Sequence, residues 1–409
     1  MNMRNMQDAH LLIQGASALV HQQHTGEEWM VTDAMLAGSR IEQLSSPLQN
    51  RRCFDSAVFD ASNLLLLPGI VDLHGDAFER QLQPRPYTAF AHDIALADTD
   101  RQLVANGITT AYHGVTYSWE GGLRGREAAV AMLEHVNQQR HRACADHRIH
   151  LRFETHHADG VADALRWIAE GKVDFLAFND HLPSIAAKSA QPEKLATYAE
   201  RARCSGKIFK ERLQYAQSRD ECVWDNITAL AGACHQYGVP MASHDDQSCS
   251  DRERFDTLGV GISEFPRTQD ALFTAMALDN LVVLGAPNVL LGGSHSGSLA
   301  TIDAVRSRMC DIMASDYYYP SLLHAPFKLA HLGACSLAEA WRLVAENPAR
   351  ALGLKDRGVI AEGCRADLLL VEAATDGTVR LVATIAAGKL VYCAEPERMM
   401  AHFPYRMTA

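Results

Sequence analysis

Ile70-Val71-Asp72-Leu73-His74-Gly75-Asp76 is a short apolar run that ends in an imidazole and, two residues on, a carboxylate. The pattern recurs down the chain. Leu151-Arg152-Phe153 runs into Glu154 and His156-His157, and Phe175-Leu176-Ala177-Phe178 into Asn179-Asp180-His181. Met241-Ala242-Ser243 runs into His244-Asp245-Asp246, and Met313-Ala314-Ser315 into Asp316. Short apolar runs that alternate with longer helical stretches mark βα units. The spacing predicts strands at Gly69–Leu73, Ile108–Ala111, His150–Phe153, Val173–Phe178, Pro240–Ser243, Gly261–Glu264, Val289–Gly292 and Ile312–Ser315. Eight such units match an α/β fold of the (β/α)8, TIM-like barrel type, in which the C-terminal strand ends share one face. The His and acidic residues would then converge on a single mouth. With a strand period of two, the His-x-Asp pair puts both side chains on the same side of the chain.

Both ends of the chain read differently. Leu11-Leu12-Ile13, Ala18-Leu19-Val20, Trp29-Met30-Val31 and Ile41 are short apolar runs between Gly and polar turn signals. Ala366-Asp367-Leu368-Leu369-Leu370-Val371, Val379-Arg380-Leu381-Val382 and Gly388-Lys389-Leu390-Val391-Tyr392 resemble them. We therefore expect one small β domain built from 1–65 plus 355–409, with the barrel spanning 66–354. The long, charged, helical-looking stretch Gln191 to Arg219 reads as an insertion or an extended βα connection.

Composition narrows the function. The 409 residues carry a net charge of −11, with 47% hydrophobic and 21% charged residues. That is a globular balance without the broad basic footprint of a nucleic-acid binder. No stretch of roughly 18 apolar residues occurs, so no membrane partner is expected. The 10 cysteines are scattered, with no C-x-x-C pair. This fits reduced thiols in a soluble cytoplasmic protein rather than a disulfide scaffold or zinc ribbon. Clustered imidazoles and carboxylates point to metal chemistry: Zn²⁺ first, with Fe²⁺ or Mn²⁺ as alternatives. Gly285-Ala286-Pro287-Asn288 leads into Gly292-Gly293-Ser294-His295-Ser296-Gly297, a glycine-rich turn of the kind that holds phosphate through backbone N–H groups. Gly292, Gly293, Ser294, His295 and Ser296, with Arg85, are the expected contacts for a small anionic phosphorylated or phosphonate substrate. Homo-oligomerisation is left open.

The His-x-Asp after strand one, the strand-end His residues and the Asp after strand eight, framed by a split β domain, resemble the amidohydrolase superfamily. Longer runs resemble one branch of it, the α-D-ribose 1-methylphosphonate 5-triphosphate diphosphatases of phosphonate breakdown. These are Ala242-Ser243-His244-Asp245-Asp246, Gly292-Gly293-Ser294-His295-Ser296-Gly297, Ser315-Asp316-Tyr317-Tyr318, Glu346-Asn347-Pro348-Ala349 and Gly363-Cys364-Arg365-Ala366-Asp367-Leu368. The resemblance implies a two-metal site. His74 and Asp76 would bind one ion with Asp316, His181 and His244 would hold the other, and Glu154 would bridge them. Asp316 would also act as the catalytic base. The implied reaction is hydrolysis of a 5′-triphosphate on a ribose 1-phosphonate, with release of pyrophosphate. Gly75-Asp76-Ala77-Phe78-Glu79-Arg80 and Leu182-Pro183-Ser184-Ile185 depart from the family's runs at positions that touch substrate rather than metal. Two other readings stand beside this one: an amidohydrolase of amide or cyclic amide C–N bonds, and a non-catalytic metal-binding protein.

Overall fold

The computed structural model describes residues 10–22, 26–45, 57–85, 88–292, 300–374 and 377–400. Eight strands lie side by side in chain order: Ile70–Gly75, Ile108–Tyr117, Asp146–Glu154, Phe175–Asn179, Met241–His244, Ile262–Glu264, Leu281–Gly285 and Ile312–Ala314. We refer to them as barrel strands one to eight. The eighth meets the first through a parallel bridge between Gly75 and Asp316. There the Asp316 N–H donates to the His74 carbonyl at 3.0 Å, and the Asp76 N–H donates to the Asp316 carbonyl at 2.9 Å. The fold is a nearly closed (β/α)8 barrel. Its strands are buried on both faces, which is why they read as continuous apolar runs rather than alternating ones.

The strand expected at Val289–Gly292 is not one. Strand seven is Leu281–Gly285, and Ala286–Leu291 is a short helix. Pro287 explains the difference, because its fixed φ and missing N–H suit the first turn of a helix. Gly292 then ends that helix in the left-handed conformation at φ 77°.

Helices cover the barrel after the strands, among them Arg126–Gln139, Val161–Ala169 and Val223–Tyr237. Met132, Leu133, Ala164, Trp167, Ile168, Leu230 and Cys234 of these helices pack against Val115, Ile149, Leu151 and Leu176 of the strands. After strand four the chain makes three further helices, Leu182–Lys188, Pro192–Arg201 and Gly206–Gln217. The last two are the insertion expected at Gln191–Arg219. They pack their own core of Ala199, Phe209, Leu213 and Ala216 onto Trp119. Arg201 ion-pairs with the buried Glu120 carboxylate, and Arg212 Nη1 donates to the Glu120 carbonyl at 2.5 Å. Gly122, at φ +60°, lets this loop approach closely, since a Cβ there would sit 2.5 Å from the Arg201 carbonyl oxygen.

The two ends of the chain share one sheet. Its backbone runs Lys389–Cys393, Val379–Ala386, Leu368–Ala373, Leu65–Pro68, His10–Gln22, Gly26–Ala37 and Arg40–Ser45, with Ala57–Asp60 also against His10–Gln22. Leu370 pairs with Leu66 across the antiparallel junction of the two termini. Ile13, Ala18, Leu36, Phe59, Leu66, Leu370, Val382 and Ile385 form its buried face. The described residues divide into two compact units. One holds the chain up to Asp72, Asp100–Thr110 and the chain from Pro320 onward; the other holds Leu73–Thr99 and Ala111–Tyr319. Among the described residues no helix is long and apolar enough to cross a membrane.

Candidate metal centre

Each barrel strand delivers its last residues to one mouth, and three groups of ligand-type side chains meet there, all in the second unit. His74, Asp76 and Asp316 form one; His181, His244 and Asp245 another; His74, His244 and Glu264 a third. Within each group the ligand atoms lie within 4.8 Å of one another. Asp245, Phe265 and Asp316 follow strands five, six and eight with positive φ, at 61°, 54° and 55°. Such left-handed backbone is uncommon outside glycine and clusters at functional sites.

Burial sets the charge state of the imidazoles. Desolvation, assisted by the Arg152 cation, pushes His74 down to about 3. Desolvation likewise takes His150 down to about 3 and His244 well below its ordinary value. Neutral imidazole is the ligand form. Glu264 is fully buried, and desolvation raises it to about 7. Its Oε2 lies 3.1 Å from His74 Nδ1 and 3.7 Å from His150 Nε2, yet neither carboxylate oxygen receives a well-directed hydrogen bond. His244 Nδ1 likewise makes no hydrogen bond and faces Asp245 Oδ1 at 3.7 Å. A buried carboxylate that receives no hydrogen bond is costly unless a cation sits beside it. The donor set, imidazole nitrogen with carboxylate oxygen, therefore fits a divalent metal.

His181 is different. Burial works against its charge, but the Glu154 carboxylate and hydrogen bonds to Asp245 and Glu154 raise it to about 9. Glu154 Oε1 lies 2.6 Å from His181 Nδ1, and Oε2 accepts from the His181 N–H at 3.2 Å. Burial alone would raise Glu154; His181 holds it below the usual carboxylate range instead. His181 Nε2 is left facing Asp245 Oδ2 at 3.7 Å.

The sequence-predicted residues separate accordingly. His74, Asp76 and Asp316 come together, as do His181 and His244. Glu154, expected between two metals, is in none of the three groups and is instead engaged with His181. Arg85 is exposed and pairs through its backbone carbonyl with Thr88. Gly292 is an exposed helix end, with open space where a Cβ would be. Gly293, Ser294, His295 and Ser296 lie outside the described residues. His156 sits between Asp180 at 3.3 Å and Asp220 at 3.0 Å.

Sequence reasoning missed three residues. Glu264 closes the strand expected at Gly261–Glu264, and Asp245 directly follows His244. Arg152 shares its strand face with His150 and Glu154 by the two-residue period, which was the available signal. Its Nη1 donates to Asp76 Oδ2 at 3.3 Å, and Nη2 meets His244 Nε2 at 3.2 Å. Asp246 is structural: its Oδ2 accepts from Ser243 Oγ at 2.7 Å, Ser263 Oγ at 2.6 Å and Arg252 Nη1 at 3.3 Å. This buried network ties strand five to strand six beneath the ligands.

An amidohydrolase family model matches residues 332–392. The chain is similar to the alpha-D-ribose 1-methylphosphonate 5-triphosphate diphosphatase of Escherichia coli K12, with 35% identity over 318 residues, 75% of this chain and 82% of that protein. Among solved structures it resembles a β-aspartyl dipeptidase of Fervidobacterium islandicum AW-1 in complex with a β-Asp-Leu dipeptide. The TM-score is 0.62 at 14% identity, covering 94% of this chain and 96% of that one. It also resembles a prolidase complexed with N-methylphosphonate-L-proline, with a TM-score of 0.61 at 12% identity, covering 94% of this chain and 100% of the other. At such identities the solved structures speak for the fold alone.

Proposed function

Because the chain belongs to the amidohydrolase superfamily and, within it, to the family of the ribose 1-methylphosphonate 5-triphosphate diphosphatase, we propose that this metal-dependent hydrolase cleaves the phosphoanhydride of a ribose 1-phosphonate 5-triphosphate and releases pyrophosphate. One observation carries the chemistry: a fully buried carboxylate without a hydrogen-bond donor, Glu264, lies among neutral imidazoles at the barrel mouth. The substrate class follows from the relative.

We assign His74, Asp76 and Asp316 to one divalent ion and His181, His244 and Asp245 to a second, with zinc as the metal. Glu264 groups with one histidine of each set, so Glu264 rather than Glu154 would be the further carboxylate that helps hold the ions. Glu154 fixes the His181 tautomer: Nδ1–H on the carboxylate leaves Nε2 as the ligand atom. Bound ions supply Lewis-acid stabilisation of phosphoryl oxygens and acidify a water. Asp316 accepts the proton of the attacking water at its carboxylate. Attack on the phosphorus nearest ribose breaks its bond to the β-phosphate bridging oxygen, giving a 5-phosphate and pyrophosphate.

The test is to incubate metal-replete protein with ribose 1-methylphosphonate 5-triphosphate and, separately, with a panel of cyclic amides. Equimolar 5-phosphate and pyrophosphate are expected. Stepwise orthophosphate, or turnover of amides alone, contradicts the reading.

A further inference from the structure

We propose that Arg152 is a catalytic residue whose guanidinium binds the non-bridging oxygens of the phosphoryl group under attack, an inference that rests on the hydrolase reading above. Arg152 is more than nine-tenths buried on strand three. Gly114 leaves room for its stem, since a Cβ there would lie 3.2 Å from Arg152 Cδ. Its hydrogen-bonding is sparse for so buried a guanidinium. Nη1 donates to Asp76 Oδ2 at 3.3 Å, Nη2 meets His244 Nε2 at 3.2 Å, and Nε makes no hydrogen bond. Arg252, fully buried in the same unit, also leaves Nε without a hydrogen bond but spends both Nη groups on Ser243, Asp246 and the carbonyls of Val260 and Ile262.

The two partners of Arg152 behave differently once they act as ligands. A carboxylate has lone pairs to spare, so Asp76 can keep Nη1 on Oδ2 and still ligate. A neutral imidazole has one lone pair. If His244 ligates through Nε2, that pair is taken; if it ligates through Nδ1, Nε2 carries the hydrogen. Either way the Arg152 contact to His244 is lost. The guanidinium then stays anchored at Asp76 with an Nη2 donor and the Nε donor unspent, in the same mouth as the ligand-type carboxylates Asp76, Asp245, Glu264 and Asp316. An Arg fork matches two oxygens of a phosphate, and a phosphoryl group at the transition state carries its charge on those oxygens. A carbonyl substrate offers only one such oxygen. Arg152 therefore favours phosphoryl over acyl transfer in this barrel.

The experiment compares wild type with Arg152→Ala and Arg152→Lys, each loaded with zinc. It reads kcat/KM on the triphosphate, metal content, Kd for inorganic pyrophosphate, and rescue of the Ala variant by added guanidinium chloride. Arg152→Ala should lose about 10²–10³-fold in kcat/KM, as for removal of one transition-state donor. It should keep its metal, bind pyrophosphate more weakly, and recover at least tenfold with guanidinium. Arg152→Lys should fall between, a point charge without the fork. Activity within threefold of wild type in metal-loaded Arg152→Ala overturns the proposal. So does loss of metal in both variants, or full metal with no guanidinium rescue, since those outcomes leave Arg152 ordering Asp76. Failure of the hydrolase reading would look different: wild type itself would leave the triphosphate intact.

Discussion

Glu154→Gln separates a carboxylate that ligates metal from one that orients a ligand. Glu154 lies 2.6 Å from His181 Nδ1 and is the leading influence holding that imidazole at about 9 against burial, from an ordinary value of 6.5. At 1.36 kcal/mol per pH unit, the net stabilisation of the charged imidazole by all its neighbours is on the order of 3 kcal/mol. The amide keeps the size and an acceptor oxygen but removes the charge. The influences of Glu154 that raise His181 are then gone while the Asp245 hydrogen bond remains, so His181 should titrate well below its wild-type value.

Metal must displace the His181 proton, so in wild type apparent affinity at this site should climb about tenfold per pH unit up to pH 9. In Glu154→Gln the rise should level off at a lower pH. Losing the orienting carboxylate costs about 10–100-fold in intrinsic affinity. Wild type should thus bind more tightly at pH 9 by that factor. Near pH 7, two units below the His181 value, proton competition of about 100-fold removes the advantage and the curves converge. Titration of metal-stripped protein against a chromophoric chelator from pH 6 to 9 reads both curves. Calorimetry in two buffers at pH 7.5 should show about one proton fewer released by the variant. Loss of a whole metal equivalent at every pH would make Glu154 a direct ligand and refute the orienting role. Parallel pH curves would refute the coupling to His181.

The metal-loaded protein should contain close to two equivalents of divalent ion by elemental analysis, and excess chelator should abolish hydrolysis; full activity without metal would end the metallohydrolase reading. Asp316→Asn keeps an oxygen ligand but removes the base, so kcat should fall about 10²–10⁴-fold with metal content largely retained; near-normal kcat would remove Asp316 from the mechanism. Metal-stripped protein should lose stability at alkaline pH. His181 is raised from 6.5 to about 9, so its share is complete below pH 6.5 and lost as pH climbs through 9. Glu154 is lowered from 4.5, so its share is present above 4.5 and lost as pH falls through the depressed value. Melting temperatures of the stripped protein should therefore decline from pH 6.5 to 9, and Glu154→Gln should flatten that decline.

The barrel was legible because its signals are local. Ile70-Val71-Asp72-Leu73, Phe175-Leu176-Ala177-Phe178 and Met241-Ala242-Ser243 are apolar runs of strand length, each followed at once by the His or Asp that reaches the mouth. Strand seven was misplaced because Val289-Leu290-Leu291 is as apolar as Leu281-Val282-Val283-Leu284; only Pro287 distinguishes a helical first turn from a strand. The sharing of labour between Glu154 and Glu264 was not legible at all. Both are acidic residues at the end of a predicted strand, and nothing local tells them apart. The difference lies in what the closed barrel sets opposite each. Glu154 pairs in register with Asn179 of strand four and so meets His181. Glu264 ends a three-residue strand and meets His74, which arrives from strand one across the barrel.

That difference is also what makes the site work as chemistry. Two buried carboxylates of the same type are driven in opposite directions: Glu154 down by a charged imidazole, Glu264 up to about 7 by burial without a donor. Paired titratable groups whose environments push them apart mark division of roles in an active site. Glu154 already has hydrogen-bonding partners within the protein, the His181 ring and backbone N–H. Glu264 is unsatisfied, and the missing partner must be positive, fit between His74 and His244, and tolerate neutral nitrogen donors. A proton alone would neutralise Glu264 but could not also draw on the imidazole nitrogens of His74 and His244; a divalent ion does both. Once His244 spends its lone pair on such an ion, Arg152 must find another acceptor, and the carboxylates grouped with the histidines, Asp76, Asp245, Glu264 and Asp316, would themselves face the ions. An anionic substrate supplies that acceptor. The same exclusivity of one lone pair therefore links metal loading to substrate charge: Arg152 becomes available to a phosphoryl group at the moment the ligands are committed to metal.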